Sequence, residues 1–280
     1  MRLLAFSDIH HNLMAVRKLR ASETNSFDAI VVAGDIGSHS AVEFFGILAT
    51  FQCPVLYVFG NWDRELGYRT SYGNNFHLLH SNVVRVGDMH FTGFGGCPAN
   101  WGKNPIAQKV LGGLKQAHQQ ETMAQLRAAT SSILKLNRES LAKAVRRASV
   151  EPSKCVVITH QRLTRLREVL PGTRLHLFGH IHQYSDQIHG GTRYINVAAL
   201  DRPAPARPRA KARWKMRDCR NVNAGNYVKI EISSSQEIRA QCVYLRQEYP
   251  DWIPLEDCRL RGTDWIPEEK QWANSSRLPA

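Results

Sequence analysis

The chain has 280 residues, 43% of them hydrophobic, enough for one large domain or two small ones around a substantial core. Its formal charge of +13 favours an anionic partner such as nucleic acid, a nucleotide or an anionic surface. No run approaches about 18 apolar residues, which excludes a membrane-spanning helix, and no charged-then-apolar leader precedes Asp8, so the expectation is a cytoplasmic protein without membrane insertion.

The first elements alternate. RLLAFS (2–7), DAIVVA (28–33) and PVLYVFG (54–60) are short apolar runs rich in β-branched residues and read as buried strands. Between them Asn12 can cap a helix whose Leu13, Val16 and Leu19 share one face, and Ser40 can cap a second helix over AVEFFGILATF. Strand, helix, strand, helix, strand predicts an α/β core. VVRVGDMHFTGF then carries a Gly-Asp turn between two runs and predicts an antiparallel hairpin. Residues 103–149 turn basic and helical, with Leu134, Leu141 and Val145 at helical spacing; two amphipathic helices are expected there, as an insert and a candidate cap. KCVVITH (154–160) and RLHLFGH (174–180) are two more buried strands, and DQIHGGTRYINV is a second hairpin with a Gly-Gly turn, so the sheets should be mixed. A Pro/Ala/Arg-alternating stretch within 201–225 reads as a long loop, after which strands resume at NYVKIEI (226–232) and near IRAQCVYL (238–245). One main domain over residues 1–232 is expected, with residues 233–280 as a C-terminal extension. That extension repeats DWIP at 251–254 and 264–267; its Trp252, Trp265 and Trp272 are expected to pack back on the domain, or else to stack on a partner.

The positive charge is confined to two segments. Residues 103–147 hold nine Lys/Arg against two Glu, and residues 202–220 hold eight against one Asp, leaving the rest of the chain near neutral. Concentration of this kind suits a polyanion, although two solvated basic faces would look the same. The six cysteines lie far apart with no CxxC pair, and reduced, mostly buried thiols are expected rather than a disulfide framework or a zinc finger.

Every one of the five apolar runs ends in a polar cluster: SDIHHN, GDIGSHS, GNWD, THQ and GHIH. In open α/β sheets the carboxyl ends of the strands are where ligands bind. Collected there are Asp8, His10, Asp35, Asn61, His160, His180 and His182, seven oxygen or nitrogen ligands without a thiolate. A single cation takes three or four protein ligands, so this set points to two divalent metal ions, about 3.5–4 Å apart and sharing a carboxylate. Manganese, iron, zinc and nickel all suit such donors.

The order DIH, GD, GN, TH, GHIH resembles the calcineurin-like metallophosphoesterase family. The resemblance implies two β-sheets packed as a sandwich flanked by helices, and a dinuclear metal site at the carboxyl ends of the strands. It implies Asp8, His10 and His182 on the first metal, Asn61, His160 and His180 on the second, and Asp35 as the bridge. The implied reaction is hydrolysis of a phosphate ester by a metal-bridging hydroxide attacking phosphorus in line. Given the charge, a phosphodiester of a nucleotide or nucleic acid is the expected substrate; a phosphomonoesterase and a non-catalytic, metal-stabilised scaffold are the alternatives. Most members read GNHD at the third motif, where the histidine assists the leaving oxygen. Here that position is Trp62, whose indole donates a hydrogen bond but is no acid near neutral pH. Asp63, that histidine's partner in the family, is retained. His11, standing where the family commonly has glycine, and then His39 are the nearest histidines that could substitute, and Trp62 and Arg64 are expected to contact substrate. Some small phosphodiesterases of the family lack the histidine as well.

Overall fold

Residues of one strand alternate between two apolar clusters, and that alternation builds the layers. The protein's computed structural model describes residues 1–117, 123–182, 184–197, 199–201 and 226–245. The basic stretch 202–225 and the tryptophan-bearing residues 246–280 lie outside the described residues. Strands β1 (Arg2–Phe6), β2 (Ala29–Val32) and β3 (Val55–Tyr57) pair in parallel, followed by the short β4 (Phe76–Leu78). On the other side of β1 run β11 (Asn226–Ile232) and β12 (Ile238–Tyr244), both pairings antiparallel. The first sheet therefore has six strands in the order β12-β11-β1-β2-β3-β4. The second also has six: β5 (Val83–Val86), β6 (Met89–Phe94), β7 (Cys155–Thr159), β8 (Leu175–Phe178), β10 (Thr192–Asn196) and β9 (Ser185–His189) in spatial order. Both sheets are mixed; in the second, β6, β7, β8 and β10 are parallel and the hairpin partners β5 and β9 antiparallel.

Leu3, Ala5, Ala29, Val31 and Leu56 of the first sheet meet Phe91, Val156, Ile158, Leu175, Leu177 and Ile195 of the second in one buried cluster. Their neighbours face outward. Leu4, Phe6, Ile30, Val32, Val55 and Tyr57 pack under α1 (Leu13–Ser22) and α2 (Ala41–Ala49) through Val16, Leu19, Phe44, Phe45 and Leu48. Phe94, Cys155 and Val157 pack under the insert helices α3 (Pro105–Ala117) and α4 (Met123–Arg147), and under the one-turn α5 (Leu166–Val169). Helix, sheet, sheet, helix is the result, and strands buried on both faces are why these runs are apolar without alternation. The insert helices dock on the second sheet through Ala107, Ile133, Leu141, Ala142 and Val145 and form its outer layer.

Asn12 caps α1 by accepting from the Ala15 N–H at 3.3 Å. Ser40 departs from expectation: it precedes α2 but makes no capping bond, because its hydroxyl bonds His11 Nδ1 (3.0 Å) and the Gly37 carbonyl (3.3 Å) instead. Cys53, Cys97 and Cys155 are free and buried, and Cys242 is free and half-buried.

Candidate metal centre

The seven sequence-predicted ligands follow the carboxyl ends of strands from both sheets: Asp8 and His10 after β1, Asp35 after β2, Asn61 after β3, His160 after β7, His180 and His182 after β8. Backbone hydrogen bonds lock these ends to one another. The Asp8 N–H donates to Gly34 O (2.9 Å), those of Ile9 and His10 to Asp35 O (2.8 and 3.0 Å), and that of Gly179 to His160 O (2.9 Å). Five of the seven have positive φ: Asp8 50°, His10 45°, Asp35 56°, His180 73° and His182 55°. L-residues rarely adopt this left-handed conformation, and a cluster of them is strain stored where geometry matters. Two glycines permit the crowding. A Cβ on Gly60 would overlap Asp35 Oδ1, and one on Gly34, at φ +91°, would lie 2.7 Å from His160 Nδ1.

The side chains converge in two groups. Asp8, His10, Asp35 and His182 bring ligand atoms within 4.8 Å of one another, as do Asp35, His160 and His180; Asp35 belongs to both. Its Oδ2 is 3.5 Å from His10 Nε2 and 3.3 Å from His160 Nε2. Asn61 joins the second group, its Oδ1 lying 3.0 Å from His160 Nε2.

Three observations test whether cations fit. The Nε2 atoms of His10 and His182 face each other at 3.1 Å, and His180 Nδ1 faces His160 Nε2 at 3.2 Å, spacings in which one proton at most can lie between two lone pairs. Asp8, fully buried, has an Oδ1 that accepts no hydrogen bond among the described residues, with His182 Nε2 nearest at 3.4 Å. His160 Nδ1 donates to Ala33 O at 2.8 Å, which aims Nε2 at the centre as a ligating imidazole requires. The donor set fits divalent cations.

Electrostatics agree. Burial pushes the Asp8 carboxyl up, with the neighbouring Asp35 adding to the effect against the pull of His160. Burial also pushes Asp35 up, but the His160 charge and hydrogen bond outweigh it and hold Asp35 down at about 2. His160 is buried too, which lowers it, yet Asp35 and Asp8 raise it to about 10. His10 is lowered to about 4 by burial. Burial and the neighbouring His160 lower His180 as well. Asp35 and Asp8 thus favour positive charge at His160, at the place where a metal's positive charge would go.

Around the ligands stand the other predicted residues. Asp63 is buried and accepts from the N–H groups of Gly37 (2.8 Å) and Gly60 (2.7 Å), tying the second and third loops together; burial and the Asp35 charge raise it to about 6 against those bonds. His11 belongs to neither ligand group: it bonds Ser40 and stacks on His39 with centroids 5.8 Å apart. Arg64 is exposed and reaches back to Asn61 O at 3.5 Å. Trp62 N–H donates to Asp35 Oδ1 (2.8 Å) while its indole stands against His10. Two residues escaped the sequence reading. Asp201 Oδ2 lies 3.5 Å from His182 Nδ1, and the Cys97 thiol donates to Asn61 Oδ1 at 3.4 Å. Asp201 carried no motif. Cys97 could have been found, since β6 is also parallel to β7 and its GFGGC therefore ends at the same sheet edge.

A family model for the calcineurin-like phosphoesterase superfamily domain matches residues 1–218. The chain belongs to that superfamily. No curated protein sequence matches it. Among solved structures, this calcineurin-like domain is similar to TT1561 of Thermus thermophilus, at 15% identity and TM-score 0.51 over 88% of this chain and 99% of that one. It is also similar to phosphopantetheinyl hydrolase of Mycobacterium tuberculosis (14% identity, TM-score 0.40, 71% of this chain and 88% of that one). A third similar structure is zinc-complexed Vps29 of Entamoeba histolytica (13% identity, TM-score 0.36, 88% of this chain and 100% of that one). The Thermus likeness supports the fold, two mixed sheets flanked by helices. Among the described residues, no helix of this calcineurin-like chain is long and apolar enough to cross a membrane.

Proposed function

We propose that the protein is a dinuclear metal-dependent phosphoesterase that hydrolyses a phosphodiester of a nucleotide or nucleic acid. The observation that carries this reading is Asp35, one carboxylate shared by two convergent ligand groups. Asp8, His10 and His182 would complete the first metal site, and Asn61, His160 and His180 the second; manganese, iron, zinc or nickel suits these donors. Divalent cations bound there supply Lewis acidity, which activates water and offsets charge developing on phosphoryl oxygens.

The chain's own residues supply position. Asp63 acts on both loops by holding the N–H groups of Gly37 and Gly60, and so fixes Asp35 and Asn61 relative to each other. His160 is oriented by Ala33 O, and Asp201 stands behind His182 in the same way. His11, which bonds Ser40 and stacks on His39, remains the candidate to assist the leaving oxygen in place of the absent motif histidine, with Arg64 as a candidate substrate contact. The two basic segments favour a polyanionic substrate, and the second of them follows Asp201 directly in the chain.

The test is hydrolysis of bis(p-nitrophenyl) phosphate by the purified, manganese-loaded chain, with metal content measured in parallel. Chelation should abolish turnover, and Asp35→Asn should reduce it by about 10²–10³-fold, the scale of losing one preorganised electrostatic group. Full activity of Asp35→Asn at full metal loading overturns the mechanism. For the nucleic-acid part, affinity for a single strand should fall steeply with salt, and deleting residues 202–217 should flatten that slope.

A further inference from the structure

Two large apolar side chains stand exposed beside the polar, charged centre. Trp62 is 51% exposed and Ile181, between His180 and His182, is 56% exposed. Trp62 meets His10 ring to ring at 4.8 Å and 81°, and His10 meets His182 at 4.8 Å, so tryptophan and two site imidazoles stand in series with Ile181 next in the chain. Among the described residues the other exposed large apolar side chains, Met14, Val42, Leu136 and Ile188, lie on helices or at a hairpin end, and none of them adjoins a candidate ligand in the chain.

The Trp62 main chain is pinned although its indole is open. Its N–H donates to Asp35 Oδ1 at 2.8 Å, and its carbonyl accepts from Ser38 Oγ at 3.3 Å. A rigid backbone carrying a half-exposed indole loses little further entropy when a flat partner stacks on it, and burying the remaining surface releases hydrophobic free energy. His10, a candidate ligand, stands edge-to-face against the indole at 4.8 Å, which sets the half-exposed ring directly beside the first ligand group.

We infer that Trp62 and Ile181 form an apolar platform that takes the nucleobase of the substrate, Trp62 by stacking and Ile181 by contact with the base or its sugar. The inference rests on the phosphoesterase reading for the position of the phosphate, and it deepens that reading by naming the side chains that would take the base of the nucleotide substrate. Tryptophan at this place is then a specificity residue. It trades a proton-donating side chain for a stacking surface.

Product-like ligands test this without turnover. Titration calorimetry on the manganese-loaded full chain compares adenosine 5′-monophosphate with ribose 5-phosphate, which share the phosphate and sugar and differ in the base. The expected result is about tenfold tighter binding of the nucleotide, the scale of one base–aromatic stack. Trp62→Ala should remove that preference, Trp62→Phe should keep most of it, and Ile181→Ser should reduce it by a smaller factor, with circular dichroism showing that each variant folds. Equal affinities in the wild type, or a preference that survives Trp62→Ala, overturns the platform. A preference that behaves as expected in a chain that hydrolyses no phosphodiester supports the platform and overturns the phosphodiesterase reading.

Discussion

Gly60 illustrates how tightly the centre is built. Its α-carbon passes Asp35 so closely that an added Cβ would overlap Oδ1 and lie 2.5 Å from the Asp35 backbone nitrogen, and neither is the end of a long side chain that can swing away. Gly60→Ala is therefore expected to displace Asp35, the shared carboxylate, and to lower bound manganese by at least half in metal analysis of the folded protein; unchanged stoichiometry would show that the loop yields. Asp63→Asn acts one step further out. An amide offers one acceptor where the carboxylate serves two buried N–H groups, so one of Gly37 and Gly60 is left unsatisfied. Denaturant unfolding should show a loss of about 1–3 kcal/mol. The candidate ligands that the fold brings together were legible in the sequence because each follows an apolar run with an oxygen or nitrogen donor. Their left-handed backbone was not: φ of +45° at His10 or +73° at His180 is imposed by hydrogen bonds between loops far apart in the chain, and nothing local to either residue announces it.

Strands and helices were legible where burial is two-sided or amphipathic. The five apolar runs became β1, β2, β3, β7 and β8, and the Gly87-Asp88 and Gly190-Gly191 turns closed the two hairpins as the turn chemistry requires. β4 was missed because three half-buried residues, Phe76–Leu78, carry neither alternation nor a long apolar run. Ser40 misled because a hydroxyl before a helix is the usual cap, and only the fold brings His11 within 3.0 Å to compete for it. β8 carries a prediction of its own. Its outward-facing His176 is fully buried, bonded to Thr159 Oγ1 at 2.9 Å, with Nδ1 making no hydrogen bond among the described residues. Burial, aided by the Arg162 charge, lowers it from the ordinary 6.5 to about 3. Between those values the unfolded chain binds a proton that the folded chain refuses, so stability present at neutral pH is lost as pH falls from about 6.5 toward 3. His176→Gln should be less stable at pH 7 yet lose less on acidification, which chemical denaturation at pH 7 and pH 5 would show as a flatter pH dependence. An equal slope in both proteins would assign the acid sensitivity to other groups.

At the scale of the molecule, the centre lies where the two sheets meet. Asp8, His10, Asp35 and Asn61 follow strands of the first sheet, and His160, His180 and His182 follow strands of the second. The apolar cluster between the sheets already joins them, but at this edge the joint is polar: buried carboxylates, facing imidazoles and an Asp8 oxygen that accepts no hydrogen bond among the described residues. Cations bound there would bridge the sheets and bind only the folded chain, because residues from 8 to 182 come together only on folding. Stabilisation then follows mass action, about 2.7 kcal/mol at a free metal concentration 100 times Kd. With about 2–4 °C per kcal/mol for a chain of this size class, manganese added to the chelator-stripped protein should raise Tm by roughly 5–10 °C in a concentration-dependent way. Asp35→Asn separates bridging from surface binding. Without the shared carboxylate each group keeps some ligands, but neither holds its cation against the other's charge, so the Tm shift should largely vanish. A wild-type Tm indifferent to manganese that is demonstrably bound would mean that the unfolded chain binds the metal as well as the folded one does, and a site assembled only when both sheets come together would fall with it.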